Sequence, residues 1–288
     1  MNFFQKFCLI FLSFWALSAN SQPQKPRIIA LSPHLAEMAA SAGALDQLVG
    51  VVSYSNYPQA VTKLPIVGQY NALNFEKILQ LKPDIILAWQ GGNRMQDLVR
   101  LQQLSKQFGF KLFLSHPQKL TDIPKEIMEI GQLAGTDTIA SVEAKKLQQR
   151  LQQQKKAYRN NPNIRWVKTF YQIWDHPLMT INGQHYISQA MAICKGQNIF
   201  SDLKPIAGEV SLEAVILRNP EVILLGGDQN RQLQWRKQWQ HYPMITAVKT
   251  HRVIPLNADL YQRPTARLIQ SLPDLCLKIH RPVNRFQR

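Results

Sequence analysis

A helix-and-strand segment occurs twice in the chain, once in each half. Residues 74–88 read NFEKILQLKPDIILA, and residues 211–225 read SLEAVILRNPEVILL. Each copy starts with a helix-capping residue, Asn74 or Ser211, and continues as a short apolar helix that a proline ends. Apolar residues typical of a covered parallel sheet follow at once. Two matched units predict two lobes of similar α/β fold, with a cleft between them where a ligand can bind.

Strand and helix patterns alternate along both halves. The predicted strands are residues 27–32, 48–53, 85–89, 111–115, 167–174, 222–224 and 252–257. Helical patterns lie between them, and a continuous helix is predicted at residues 265–279. This alternation predicts mostly parallel sheets with helices on both faces.

The region between the halves is polar and rich in Gln and Lys. Its sparse apolar stripe consists of Ile139, Val142, Leu147 and Leu151. About 20 residues of helix span ~30 Å, so the pattern predicts one long rigid helix rather than a supple linker. We therefore expect an N-terminal lobe at residues 22–137, a connecting helix at 138–160 and a C-terminal lobe at 161–288.

Residues 1–21 predict a cleavable secretory signal peptide. Lys6 supplies a positive start, and residues 7–17 form an apolar run too short to span a membrane comfortably. Ala19 and Ser21 then place small residues before the cleavage site, so Gln22 would begin the mature chain. Cleavage of the signal peptide removes Cys8 and leaves two cysteines, Cys194 and Cys276. They most simply form one disulfide, and two free buried thiols are the alternative.

The chain is strongly basic, with a formal net charge of +16. A basic excess can indicate nucleic-acid binding. Here the charges are scattered among Gln-rich helices, and no run of Lys and Arg exceeds two residues. We therefore expect no nucleic-acid partner and interpret the excess as a solvated face or an attraction to an anionic surface.

Aromatic residues and glycine pairs follow the predicted strands, where open α/β sheets bind ligands. The residues at these ends are Tyr54 and Tyr57, Trp89 with Gly91 and Gly92, Trp174, Gly226 with Gly227, and residues 259–263. Aromatic rings beside glycines, which admit close approach, indicate a flat and mostly apolar ligand. The alternative is that Trp89 or Trp174 covers a core.

Sequence signatures of catalysis are missing. We find no G-x-x-x-x-G-K-[ST], G-x-S-x-G or G-x-G-x-x-G motif. The seven histidines have no metal-binding spacing, so neither a metal site nor a catalytic residue is predicted, and His34 is interpreted as a loop histidine. Glu76 and Glu213 lie in the first turns of the repeated helices, where the negative charge of a Glu interacts favourably with the helix dipole. As an equivalent, exposed pair they could also present two acids to a symmetric partner.

At these residues the chain resembles the periplasmic cobalamin-binding proteins of bacterial ABC importers, whose lobes are joined by a single long helix. The resemblance covers essentially the whole mature chain. The segments that carry it are residues 27–33 (RIIALSP), 50–58 (GVVSYSNYP), 73–76 (LNFE), 81–93 (LKPDIILAWQGGN), 196–200 (GQNIF) and 259–263 (DLYQR). It implies a periplasmic protein that captures cobalamin and delivers it to permease subunits of an importer. No reaction and no cofactor are implied, and we expect a monomer.

The resemblance also implies roles for individual residues. Tyr54, Tyr70 and Trp89 would line the first-lobe wall against the corrin and its nucleotide base, although Tyr70 stands where the family often has Trp. The second-lobe residues that would face the amide fringe of the corrin are Asp259, Leu260, Tyr261, Gln262 and Arg263. Among these, Asp259 would accept and Arg263 would donate hydrogen bonds.

Two further pairs of residues match the family pattern. Glu76 and Glu213 match acids that dock on basic pockets of the permease, and Cys194 and Cys276 match the family's disulfide. Two positions depart from the pattern. Ala207 stands where a pocket Trp is expected, and Met179 replaces an aromatic residue, which leaves the second-lobe wall undefined.

Three alternatives remain open at the level of sequence. A haem carrier of the same fold would need an axial ligand, for which Tyr54 or Tyr57 could serve. A carrier of anionic siderophores would need several converging arginines, whereas the strand ends offer mainly Arg263. A corrinoid- or tetrapyrrole-processing enzyme would need a paired acid and base or a metal constellation, and the sequence shows neither.

Overall fold

The computed structural model describes residues 24–280, which form two α/β lobes. The strands of the first lobe are β1 (Ile28–Ala30), β2 (Leu48–Val51), β3 (Gly68–Gln69), β4 (Ala72–Leu73), β5 (Ile85–Trp89) and β6 (Lys111–Ser115). Its helices are α1 (Pro33–Ser41), α2 (Phe75–Gln80), α3 (Met95–Phe108) and α4 (Asp122–Ala134). A parallel sheet of order β2-β1-β5-β6 forms its centre, and β3 and β4 form a small hairpin. The predicted signal peptide lies outside the described residues.

A long helix, α5 (Asp137–Gln154), leads out of the first lobe and continues as one π-helical turn, Lys155–Arg159. The strands that follow are β7 (Val167–Gln172), β8 (Trp174–Asp175), β9 (Leu178–Ile181), β10 (Gly196–Asn198), β11 (Ala207–Glu209), β12 (Val222–Leu225) and β13 (Val253–Pro255). The helices are α6 (Tyr186–Ile193), α7 (Leu212–Arg218), α8 (Gln229–Trp239), α9 (Thr246–Lys249), α10 (Ala258–Tyr261), α11 (Ala266–Gln270) and α12 (Leu272–His280). Within the described residues, no helix combines the length and the apolar character needed to cross a membrane.

The second lobe is built around a parallel sheet of order β10-β7-β12-β13, so the predicted fold of two lobes with mostly parallel sheets is confirmed. A smaller antiparallel sheet, of order β11-β9-β8, lies beside it. The sequence did not predict this smaller sheet, because strands of two to four residues are too short to show a period. The strand predicted at residues 167–174 is wrong at its end, because β7 stops at Gln172 and the chain bends at Ile173. The backbone N–H of Ile173 donates a hydrogen bond to Met179 O at 3.0 Å.

The repeated segments occupy the same place in both sheets. The Asn74 side chain accepts a hydrogen bond from Lys77 N at 3.0 Å, and the Ser211 side chain accepts one from Ala214 N at 3.1 Å, as their predicted capping roles require. Helix α2 leads into β5 and helix α7 into β12, and each of these strands is the third in the order of its sheet. The internal repeat therefore marks a repeat of the fold.

Helix α5 is buried along a different stripe from the predicted one. Leu147 and Leu151 are buried as expected, but Ile139 and Val142 are exposed, and Ala140 and Ala144 lie in the core instead. The reason is close helix packing: a Cβ atom on Gly131 of α4 would lie 2.3 Å from the Cβ atom of Ala140. Only small side chains fit where α4 and α5 approach so closely. The same apolar cluster continues into α11 and α12, so one core joins the lobes.

The continuous helix predicted at residues 265–279 is wrong, because the chain forms α11 and α12 with a break at Ser271. Pro273 explains this break. A proline lacks the backbone N–H that a continuous helix needs, and its ring clashes with the preceding turn, yet it is well tolerated in the first turn of a new helix.

A disulfide joins Cys194, at the end of α6, to Cys276 in α12. The S–S distance is 2.02 Å, and both cysteines are buried, so the predicted pairing is confirmed and the alternative of free thiols is wrong. The bond ties together two helices that pack against each other on the core side of the second lobe.

We expect the double variant Cys194→Ala/Cys276→Ala to lose roughly 2–4 kcal/mol of unfolding free energy, because the unfolded chain regains the freedom of a long closed loop. The sequence separation of 82 residues places the expectation at the upper end of that range. Urea denaturation of oxidised wild type, reduced wild type and the variant measures the change. Identical midpoints for all three proteins would contradict the prediction.

Candidate functional site

The carboxyl ends of the first-lobe strands carry an aromatic wall built around Trp89, the last residue of β5. The His34 ring meets the Trp89 ring edge-on, with centroids 5.0 Å apart. The Tyr70 ring, in the turn between β3 and β4, lies 6.2 Å from Trp89 and is tilted against it. Two of the three predicted first-lobe residues are thus neighbours at one edge of the sheet.

Gly92 is required by the position of the Trp89 ring. A Cβ atom at Gly92 would lie 2.0 Å from two atoms of that ring, so any other residue would displace it. The sequence interpretation was that the glycine pair admits a ligand. The group that approaches most closely is instead the chain's own tryptophan, and the glycines act by fixing where its ring lies.

Asn93 holds the backbone of this wall together. Its side-chain oxygen accepts a hydrogen bond from Trp89 N at 2.6 Å, and its amide donates to Leu31 O at 3.0 Å and to Tyr70 O. The end of β1, the end of β5 and the β3–β4 turn are therefore tied by one buried side chain. Sequence reasoning did not single out Asn93, although a polar residue directly after Gly-Gly at a buried strand end was a usable signal.

His34 is a buried member of the wall and not a loop residue, since it lies in the first turn of α1. Ser32 Oγ lies 2.9 Å from its Nδ1 atom, and its Nε2 atom has no hydrogen-bond partner among the described residues. Burial, and then the positive charge of Arg263, lower the pKa of His34 to about 3. The imidazole is therefore neutral near pH 7 and packs against Trp89 as an apolar ring.

Tyr54 lies beyond the end of β2 and is 77% exposed. Its φ angle of +66° is in the left-handed region, which a bulky residue seldom adopts. The Tyr54 carbonyl accepts a hydrogen bond from Arg263 Nη2 at 3.2 Å, which ties this loop to the second lobe. The phenol ring is left available for contacts with another molecule.

Asp259 and Arg263, after β13, form the polar side of the site. They pair with each other at 2.7 Å. Arg263 Nη1 also donates to Asn56 Oδ1 at 2.7 Å, and Asn56 Nδ2 donates to Asp259 Oδ2 at 2.8 Å. The loop after β2 thus meets the segment after β13, which brings the carboxyl edges of the two sheets to the lobe junction. Arg263 and Asp259 already bridge the lobes, a role the sequence did not predict.

A buried carboxylate anchors this bridge. Glu37, on α1 of the first lobe, is only 2% exposed. It accepts hydrogen bonds from Arg263 Nη1 at 2.8 Å and from Arg267 Nε at 2.8 Å and Nη2 at 2.5 Å. The Arg267 guanidinium also lies 4.0 Å from the centroid of the Tyr57 ring. We name Glu37, Asp259, Arg263 and Arg267 the junction network. Its one sequence signal was a Glu within a helix of mostly small and apolar residues.

The other residues of the predicted second-lobe segment make different contacts. Tyr261 is buried, and its hydroxyl donates to Asp274 Oδ2 of α12 at 2.6 Å, so its ring faces the second-lobe core. Burial, and then the hydrogen bond to Asp274, raise the pKa of Tyr261. Leu260 packs against the core. Gln262 is half-buried, and its backbone carbonyl accepts a hydrogen bond from the Tyr186 hydroxyl at 2.6 Å. Asp259 and Arg263 are the members of the segment that reach the first lobe.

Glu76 and Glu213 are exposed in the first turns of α2 and α7. Glu76 accepts a hydrogen bond from Gln80 at 3.2 Å on its own helix. Among the described residues, neither side chain is hydrogen-bonded or ion-paired to the aromatic wall or the junction network. They belong to a surface and not to the candidate binding site.

The site combines two exposed aromatic rings and the half-buried ring of Trp89 with a fringe of polar groups. Among residues 24–280, no group of three His, Cys, Asp or Glu side chains is arranged to hold a metal ion. The rings of Tyr54, Tyr70 and Trp89 offer apolar contact area, and the polar side chains of Asp259 and Arg263, which pair with each other and with Asn56, lie beyond them. This arrangement suits a large, flat and mostly apolar molecule that carries polar groups at its edge.

Two bacterial proteins are similar to this chain over most of its length. The Vitamin B12-binding protein of Vibrio vulnificus strain YJ016 is 34% identical over 266 residues, which cover 92% of this chain and 93% of that protein. The protein of the same name from Vibrio cholerae O1 (strain El Tor Inaba N16961) is 35% identical over 250 residues, 87% of each chain. Both similarities extend over nearly the whole described fold.

Two solved structures are similar to this chain in fold. The periplasmic Vitamin B12 binding protein BtuF of Vibrio cholerae superimposes with a TM-score of 0.78 at 33% identity, covering 88% of this chain and 96% of that one. The periplasmic heme-binding protein RhuT from Roseiflexus sp. RS-1 has a TM-score of 0.77 at 20% identity, covering 89% of this chain and 98% of that one, and shares the fold. The family model described as Periplasmic binding protein matches residues 28–260. The chain belongs to the periplasmic binding protein family.

Proposed function

We propose that this protein captures cobalamin in the periplasm and delivers it to an ABC importer in the inner membrane. The observation that carries the proposal is the aromatic wall of Tyr70 and Trp89 at the carboxyl edge of the first sheet, with exposed Tyr54 beside the polar pair Asp259 and Arg263. A corrin is a large and mostly apolar ring system edged by amides, which matches apolar walls with a polar fringe. The relatives named Vitamin B12-binding protein support this ligand over other flat molecules.

Each segment of the chain has a proposed role. A signal peptide at residues 1–21 would direct export, and the lobes at residues 22–137 and 161–288 would hold the ligand between them. The helix at residues 138–160 would keep their spacing. Because one apolar core continues from the first lobe through α5 into the second, we propose small lobe movements. The protein acts as a carrier without a cofactor or a reaction of its own, and as a monomer when free.

The proposed partners are the two permease subunits of the importer. Glu76 and Glu213 are exposed on helices that occupy equivalent places in the two lobes. A pair of subunits with basic pockets could therefore receive one acid each. We propose no nucleic-acid partner, because the excess of Lys and Arg is spread over the whole chain.

Isothermal calorimetry with cyanocobalamin tests the proposed ligand. We expect one ligand per chain. Trp89→Ala should weaken binding by roughly 1–3 kcal/mol, the range for removing a buried aromatic contact. Phe108→Ala is the matched control, because Phe108 is an exposed aromatic residue at the end of α3, just before the amino end of β6. Its affinity should equal that of the wild type. Tight binding of haem without any heat from cobalamin would overturn the proposal.

A further inference from the structure

The second lobe has an exposed aromatic ring that the proposed site does not yet use. Trp174 is 40% exposed and opens β8, directly beyond the carboxyl end of β7, an inner strand of the second sheet. It belongs to none of the apolar clusters, whereas Trp235 and Trp239 of the same lobe are buried in one. The sequence alternative that Trp174 covers a core is therefore wrong. Its place at the carboxyl edge is where sheets of this kind hold ligands.

Strand register places Trp174 beside the two residues at which the chain departs from its family pattern. In the small sheet Trp174 pairs with Met179, and Met179 pairs with Glu209. Directly paired residues in antiparallel strands have their side chains on the same face, and residues two apart on one strand share a face. Ala207 therefore lies on the face that carries Trp174 and Met179. That face lacks a ring at Ala207 and Met179 and has one at Trp174.

The Trp174 ring is held in one orientation. The guanidinium carbon of Arg231 lies 3.9 Å from the ring centroid and covers one face of the indole. Arg231 is itself held by Asp228, the capping residue of α8, at 2.9 Å. The indole N–H donates to His176 O at 3.1 Å. An aromatic surface that is already ordered loses little conformational freedom when a ligand packs on it.

We propose that Trp174 is the aromatic contact of the second lobe with the corrinoid, in place of rings at positions 179 and 207. The inference rests on the proposed function and adds a specificity residue to it. The ligand would lie between the Trp89 wall of the first lobe and the Trp174 ring of the second. Asp228 and Arg231 act in this role by holding the ring in its orientation.

The chain offers a matched control for this proposal. Trp166 is 45% exposed and lies immediately before β7, at the opposite end of the strand from Trp174. It also has an arginine over its ring, since the Arg159 guanidinium carbon lies 5.7 Å from the centroid. Replacing either tryptophan thus removes a similar exposed ring with a similar neighbour. Only Trp174 lies at the ligand-binding edge of the sheet.

Calorimetric titration of cyanocobalamin into wild type, Trp174→Ala, Trp174→Phe and Trp166→Ala tests the inference. We expect Trp174→Ala to weaken binding about 5- to 50-fold, as for other aromatic anchors. Trp174→Phe should restore most of the affinity, because it keeps a ring at the site. Trp166→Ala should stay within about twofold of wild type, and melting curves of each variant verify folding.

Three results would overturn the inference and are distinguishable from one another. If wild type binds cobalamin and folded Trp174→Ala binds it equally well, Trp174 is not a contact, and the proposed function still stands. If wild type gives no heat with cobalamin, the proposed function fails and this inference fails with it. Equal losses for Trp174→Ala and Trp166→Ala would also count against a contact, because they would indicate a general effect on the lobe.

Discussion

Reversing both exposed acids, Glu76→Arg together with Glu213→Arg, should abolish stimulation of the importer's ATPase activity and leave cobalamin affinity unchanged. The two residues lie on α2 and α7, which precede equivalent strands in the two lobes. An arginine that faces a basic pocket is repelled by it. Changing one partner of an interface charge pair costs several kcal/mol of binding free energy. The measurement is the ATPase rate in reconstituted liposomes at fixed ligand saturation, over a series of salt concentrations.

Single reversals provide an internal scale for this experiment. Each should cause a partial loss, because the lobes are proposed to contact separate subunits. Glu129→Arg is the matched control, since Glu129 is exposed on α4 and lies outside the repeated helices. If the acids only complement the helix dipoles, replacing either with Gln would cost about 0.3–1 kcal/mol of stability and leave transport intact. Full stimulation by the double Arg variant would contradict a docking role.

Glu37→Ala should lower the free energy of unfolding by roughly 3–5 kcal/mol, because it leaves the partly buried Arg267 guanidinium without a carboxylate and leaves Arg263 paired with Asp259 alone. Two guanidinium groups, those of Arg263 and Arg267, share the Glu37 carboxylate across the lobe junction. The same change should weaken cobalamin binding, since Arg263 would lose the group that positions it. Chemical denaturation measures the first effect and calorimetry the second.

Glu221→Ala serves as the control for Glu37. Glu221 pairs with Arg165 at 2.8 Å within the second lobe, and the side chain of Arg165 is 66% exposed. Partly exposed ion pairs contribute about 0–1 kcal/mol, so this variant should remain close to wild type in stability and in affinity. If Glu37→Ala and Glu221→Ala unfolded at the same denaturant concentration, the junction network would not be a source of stability.

The elements that could be predicted from sequence are those that depend on neighbours along the chain. The caps at Asn74 and Ser211 bond to amides only three residues ahead, so a local pattern is sufficient to predict them. Strands β5 and β6 follow from runs of apolar residues, and their predicted bounds match the observed ones. The repeat predicted two similar lobes because each copy contains a complete local unit of cap, helix and strand.

Side-chain direction was predicted less well. Tyr261 and Arg263 are two residues apart in one segment, yet one faces the core and the other crosses to the first lobe. On a helix as short as α10, a shift of one position turns a side chain by about 100°, and no periodic pattern exists to fix that angle. The resemblance to a family indicated the segment as a whole but not which of its members face the site.

By itself, the sequence determined the two-lobed α/β fold, the helix caps and the cysteine pair, because each depends on local spacing or on the chemistry of one residue type. Only the tertiary structure decided the junction network, in which Glu37 and Arg267 are 230 positions apart, and the face that Trp174 shares with Ala207. The first depends on how two lobes pack and the second on strand register. Both are set by long-range packing and backbone pairing, which the order of residues along the chain does not display.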